Sequence, residues 1–158
     1  MINKLKVKRI HPDAVLPKRA KEGDVAYDLV AIDDGKIICE NEESLYIEYR
    51  TGLTIEPPKG YHTEVIARSS VTNYDLILKN NIALFDNNYR GEFLFRFFIT
   101  RDIIRADGSI SRKFCKLYKK GDRIAQLLIR KTIILPVVEV EELSETNRGE
   151  GKFGSTGT

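Results

Sequence analysis

The chain has 158 residues, with 26 Lys and Arg against 23 Asp and Glu, 42% apolar residues and a mean hydropathy of -0.30. That is one globular domain with enough apolar mass for its own core, and a formal charge of only +3 argues against nucleic acid as a direct partner. No apolar run approaches the ~18 residues of a membrane span, and the first twenty residues never build the apolar stretch of a secretory signal, so a cytoplasmic protein with no membrane partner is expected.

Taken in chain order, the segments read as short strands separated by turns. Leu5 and Val7 alternate with Lys4, Lys6 and Lys8, the period of two that puts apolar side chains on one face of a sheet. Asp33-Asp34-Gly35 is a turn signal, and Leu45, Ile47 and Tyr49 then alternate with Tyr46, Glu48 and Arg50. After Pro57-Pro58-Lys59-Gly60 comes Ala67-Arg68-Ser69-Ser70, where a strand gives way to the one candidate helix, Ser69 to Asp75, which a hydroxyl residue would cap. A guanidinium and two hydroxyls at a helix start suit an anion such as phosphate. Asn80 to Glu92 holds an Asn, an Asp and a Tyr around a hairpin-like turn, although Asp86-Asn87-Asn88 is also simply good turn chemistry. Phe93, Phe95, Phe97 and Ile99 alternate again. The segment 100–114 centres on Asp107-Gly108 and reads as an extra hairpin. Gly121 to Gln126 opens an apolar run from Ile124 to Val140, either a strand buried on both faces or one that meets another chain. Gln126 is its oddity, a buried amide that requires a partner. Many short strands with frequent turns mean a sandwich, barrel or jelly roll.

From Ser144 the composition changes to a glycine-rich ending around Arg148 and Phe153. Two readings stand: a frayed terminus, or a flap whose backbone N–H groups, guanidinium and ring close on an anionic ligand. Cys39 and Cys115 have no Cys or His neighbour at zinc-ligand spacing, and whether they pair is left open. His11 and His62 are isolated and read as surface or satisfied polar residues.

Together, Ala26 to Ala31, Ala67 to Ser70, Asn80 to Glu92, Gly121 to Gln126 and Arg148 to Gly157 resemble the five ordered motifs of the trimeric deoxyuridine triphosphatases, the dUTPases. The resemblance implies an all-β, jelly-roll-like domain over 1–143 with one short helix, a flexible flap over 144–158, a homotrimer with composite sites, and Mg2+-dependent hydrolysis of dUTP to dUMP and pyrophosphate. It implies Asp86 as the base for the attacking water, and Tyr89 under the deoxyribose. Asn80 with the Ile82, Ala83 and Leu84 stretch would bind uracil, and Arg68, Ser69, Ser70 and Gln126 the phosphates and water. Asp28 would reach the metal through water while the phosphates ligate it directly. Phe153 would stack on the base, with Arg148, Gly154, Ser155 and Thr156 closing over the phosphates.

Four positions depart from the commoner family pattern: Ala26, Ala83 and Lys152 stand where glycine is usual, and Asn88 where aspartate is frequent. Ala83 either tightens the uracil pocket or, if the site demands positive φ, strains it. The 100–114 segment carries no motif and is either a tolerated insertion or an arm for a protein partner. Two other functions share the fold: a dCTP deaminase, against which Tyr89 and the glycine-rich ending argue, and a regulator that binds a protein partner in a nucleotide-sensitive way.

Overall fold

The computed structural model describes residues 4–40, 44–100, 115–146 and Gly149. Its strands are β1 (Lys6–Arg9), β2 (Tyr27–Val30), β3 (Lys36–Glu40), β4 (Ser44–Arg50), β5 (Leu53–Glu56), β6 (Tyr61–Ala67), β7 (Leu76–Leu78), β8 (Ile82–Phe85), β9 (Leu94–Ile99) and β10 (Arg123–Lys131). They form two four-stranded antiparallel sheets, β2-β10-β6-β8 and β3-β4-β9-β7, with a β1-β5 ribbon beside them. The sequence periodicity explains the layering: Phe93, Phe95, Phe97 and Ile99 are buried while the intervening Arg96 and Phe98 are exposed, and these side chains meet Leu29, Val65, Ala83, Ile124 and Leu127 from the facing sheet. The result is the jelly-roll-like all-β layering expected from the sequence.

Aromatic rings cluster within the core. Phe85 stacks on Phe93 at 4.0 Å, and Tyr49, Phe97 and Tyr118 meet edge to face at 5.6 to 5.9 Å. Burial pushes the Tyr118 phenol up to about 12 and raises that of Tyr49 as well, whose hydroxyl donates to the Tyr118 carbonyl at 3.1 Å.

Three expectations need correction. The candidate helix is a five-residue 3-10 turn, Ser69–Asn73, with Arg68 at its N-cap and no side-chain cap, so it has little dipole to offer an anion. Tyr46, expected on the polar face of β4, is fully buried there, with Lys79 Nζ 4.1 Å and Arg96 Cζ 5.0 Å from its ring centre. The apolar run from Ile124 divides: β10 ends at Lys131, and Ile133, Ile134, Leu135, Val137, Val138 and Val140 lie exposed beyond it. The 100–114 segment, apart from Thr100, and the ending, apart from 144–146 and Gly149, lie outside the described residues. Among the described residues no helix is long and apolar enough to cross a membrane.

Candidate active site

Where β10 begins, the β2-β10-β6-β8 sheet assembles a clamp of two arginines on one carboxylate. Register puts Gln126 of β10 opposite Asp28 of β2 and Ile66 of β6, so Asp28 and Gln126 share the outer face. Arg68, the residue after β6, turns back so that its Nε donates to Asp28 Oδ1 at 2.9 Å while Nη1 donates to Ser70 Oγ at 3.1 Å. Arg123 Nη1 donates to the other carboxylate oxygen at 3.0 Å. One buried carboxylate thus orients two guanidinium groups, and the trio keeps an excess positive charge. Ser69 is exposed beside it. The Gln126 amide is half-buried and has no hydrogen-bond partner among the described residues, so the partner its position demands is open to a ligand or a water.

A second locus lies along β8 and the turn that follows. Asn80, Ala83, Leu84 and Tyr89 line a cleft of about 520 Å³, floored by Phe85 and Phe95. The left-handed backbone the sequence pattern raised as a concern falls two residues before Ala83: Asn81 has φ +53, a conformation asparagine tolerates, whereas Ala83 sits buried in a regular strand. The methyl of Ala83 is therefore unstrained and packs into the core between the sheets, while the residue borders the cleft. Ile82 is exposed on the other face of β8 with Leu84. The Tyr89 ring packs on Phe85 at 5.2 Å and Phe93 at 6.0 Å, and its hydroxyl donates to the Glu92 carbonyl at 3.0 Å.

Asp86 opens onto an adjacent recess, with His62, Leu84, Asn87 and Thr132, and its carboxylate has no hydrogen-bond partner among the described residues. Leu84 borders both spaces. Its turn is rigidly referenced: Asn87 Nδ2 donates to the carbonyls of Pro57, Pro58 and Tyr61, and Arg90 Nη1 to those of Asn87 and Tyr89. Thr63 pairs with Phe85, so Asp86 lies beside His62, and Arg68 follows 68 − 62 = 6 residues further along the line of β6. At about 3.3 Å per residue that is about 20 Å. One chain therefore brings together Asp28, Arg68, Ser70 and Gln126, and separately Asn80, Ala83, Leu84 and Tyr89 with Asp86 at their border, but does not join the two loci. Arg148, Phe153, Gly154, Ser155 and Thr156 lie outside the described residues.

Two participants escaped the sequence reading. Arg123 is three residues from Gln126, which in a regular strand puts it on the opposite face; the register shift between Arg123 and Ala125 brings it round to Asp28. Its place at the opening of the apolar run was visible, its partner was not. Asn87 read as turn chemistry only, and its three carbonyl partners are 26 to 30 residues away in sequence.

The dUTPase family model matches residues 13–157. Deoxyuridine 5'-triphosphate nucleotidohydrolase of Helicobacter pylori strain J99 is 36% identical over 155 residues, spanning 98% of this chain and 97% of that one. The enzyme of the same name from Clostridium acetobutylicum is 34% identical over 158 residues, spanning 99% and 98%. Among solved structures, the dUTPase of Staphylococcus bacteriophage 80alpha with dUPNHPP superposes with a TM-score of 0.74 at 26% identity, covering 99% of this chain and 100% of that one. With the first four of the ordered motifs folded onto a sheet end and its neighbouring cleft, and with relatives matched over nearly their whole length, this chain belongs to the dUTPase family.

Proposed function

We infer that this chain hydrolyses dUTP to dUMP and pyrophosphate. The observation that carries the reading is the division of labour on one sheet, a two-arginine clamp held by Asp28 and a base-sized cleft bordered by Asp86, whose carboxylate has no partner among the described residues. In the reaction Asp86 accepts a proton from a water whose oxygen bonds to the α-phosphorus. The bond from that phosphorus to the bridging oxygen breaks, and pyrophosphate leaves with the electron pair. Asn80 and the main chain of Ile82 to Leu84 pair with uracil and reject cytosine by polarity, a discrimination of up to ~10⁴ where buried groups would be left unpaired. The backbone around Ala83 crowds C5 against thymine. The Tyr89 ring lies under the sugar and excludes a 2′-hydroxyl. Arg68, Ser69, Ser70 and Gln126 hold the phosphates and the water, and the ending from Arg148 to Thr156 closes over them with Phe153 on the base.

Mg2+ fits this chemistry as an ion brought in by the triphosphate. Among the described residues no group of three His, Cys, Asp or Glu could hold a metal, and each Asp28 oxygen, already bonded to one guanidinium, keeps a lone pair for a metal-bound water. Bound there, the ion neutralises charge on the phosphates and the departing pyrophosphate. The active form is a homotrimer with composite sites. A separation of about 20 Å between clamp and carboxylate exceeds what a triphosphate bridges within one chain, so the clamp of one subunit serves the cleft of another. The exposed apolar residues from Ile133 to Leu143, with Ile82 and Leu84, supply surface for that contact.

The test is pyrophosphate release from dUTP, dTTP, dCTP and UTP by the wild type and by Asp86→Asn, with light scattering of both. Preference for dUTP, a trimer, and a variant that binds dUTP but scarcely turns it over are the expected results. Wild-type turnover in the variant would remove Asp86 as the base, and an active monomer would remove the composite site.

A further inference from the structure

Gly91 has an ordinary negative-φ backbone, so nothing in its own conformation calls for glycine. Its surroundings do. A Cβ built at this position would stand 2.6 Å from Tyr89 Cζ and closer still to the phenolic oxygen, well inside van der Waals contact. The phenol lies across the Gly91 α-carbon to reach the Glu92 carbonyl at 3.0 Å. Glu92 is itself immobilised: its carboxylate takes Arg50 Nε and Nη2 at 3.0 Å, and the Gly52 N–H at 2.8 Å. The segment bearing Gly91 and Glu92 is thus pinned, while the Tyr89 side chain is more than one-third exposed and, among the described residues, held at its hydroxyl and against the rings of Phe85 and Phe93. Of the two, the ring is the part that yields when a side chain is added.

We propose that Gly91 is a positioning residue for sugar selectivity: its missing side chain, with the anchored Glu92 carbonyl, sets the depth at which the Tyr89 ring lies in the cleft. This rests on the assignment of Tyr89 to the deoxyribose. A ring displaced by a methyl at residue 91 leaves room for the 2′-hydroxyl, and the loss appears as relaxed discrimination rather than as an unfolded chain.

The experiment measures kcat/KM for dUTP and UTP in Gly91→Ala, Tyr89→Ala, the double variant and Tyr89→Phe. A general loss of stability lowers both substrates alike, so the UTP to dUTP ratio isolates the positioning effect. Gly91→Ala is expected to raise that ratio about tenfold, within the ~10 to 200-fold that steric selection by one small group provides. Its melting temperature should stay within about 4 °C of the wild type. Added to Tyr89→Ala it should change the ratio no further, because the two act through one ring. Tyr89→Phe, which keeps the ring and loses its bond to Glu92, should raise the ratio roughly two- to tenfold, and it serves even if the alanine at 91 impairs folding. Tyr89→Ala moving the ratio while Gly91→Ala and Tyr89→Phe leave it unchanged would overturn the proposal alone, as would additive effects in the double variant. An unchanged ratio in Tyr89→Ala would instead overturn the sugar assignment on which it rests.

Discussion

Asp28→Asn probes the clamp most directly. The amide copies the carboxylate's shape but offers one acceptor oxygen, and it turns an N–H2 toward whichever guanidinium loses its partner. The structure grades the two losses. Arg68 is four-fifths buried against a nearly inaccessible carboxylate, whereas Arg123 is half exposed. Breaking a fully buried pair costs about 3 to 5 kcal/mol, so the Arg68 arm should cost somewhat less, about 2 to 3 kcal/mol. The half-exposed Arg123 arm adds about 0.5 kcal/mol. At about 2 to 4 °C per kcal/mol for a domain of this size, the melting temperature should fall by roughly 5 to 14 °C, compared at one protein concentration so that any assembly is held constant. With Arg68 no longer aimed, KM for dUTP should rise about tenfold or more at saturating Mg2+. Calorimetry and steady-state kinetics on the same preparation read both quantities. If melting shifted by less than about 2 °C with KM unchanged, the clamp would not be organised by Asp28. A shift confined to the Mg2+ concentration giving half-maximal rate would assign that carboxylate to the ion alone.

Two further predictions concern the core. The Tyr118 phenol, raised to about 12, and that of Tyr49, raised further, hold their protons in the folded chain at pH values where an unfolded tyrosine ionises. The unfolded state then binds fewer protons, so the stability is whole below about pH 10 and falls as pH climbs through the window above it. Urea midpoints measured between about pH 9 and 11.5 should show that decline, less steeply in Tyr118→Phe, and a pH-independent midpoint refutes it. Thr63 is fully buried and its hydroxyl has no hydrogen-bond partner among the described residues. Thr63→Val should be neutral or stabilise by up to about 1 kcal/mol, and a loss above about 1 kcal/mol on chemical denaturation would show that the hydroxyl has a partner.

Strand content and the core-facing residues were legible because Phe93, Phe95, Phe97 and Ile99 obey a period fixed by strand geometry alone. The site was legible as ingredients for a similar reason: arginine, serine and aspartate at turns declare their chemistry locally. What escaped depended on neighbours distant in sequence. Tyr46 breaks the alternation of β4 because Lys79, from the turn after β7, and Arg96 of β9 lie over its ring. Nothing in the sequence set Gly91 apart, since the ring that needs its missing side chain lies over it only in the fold, where Glu92 is anchored to Arg50 and Gly52. The apolar residues after Lys131 carried a strand-like pattern without a strand, because hydrophobicity alone does not say whether the surface it covers belongs to the same chain.

The register shift in β10 also bears on how the chain's length can vary. Arg123 faces Val30 and Ala125 faces Leu29, so Ile124 is a supernumerary residue, buried at no cost to the pairing on either side. Removing it would leave an unbroken ladder in which Arg123 and Gln126 still stand on the face of Asp28, with a smaller core as the penalty. Removing Leu127 or Leu128 would exchange inside for outside along everything on one side of the gap. Ile124 is therefore the point at which this strand can gain or lose a residue while its chemistry stays aligned, and length differences among related chains in β10 should fall there.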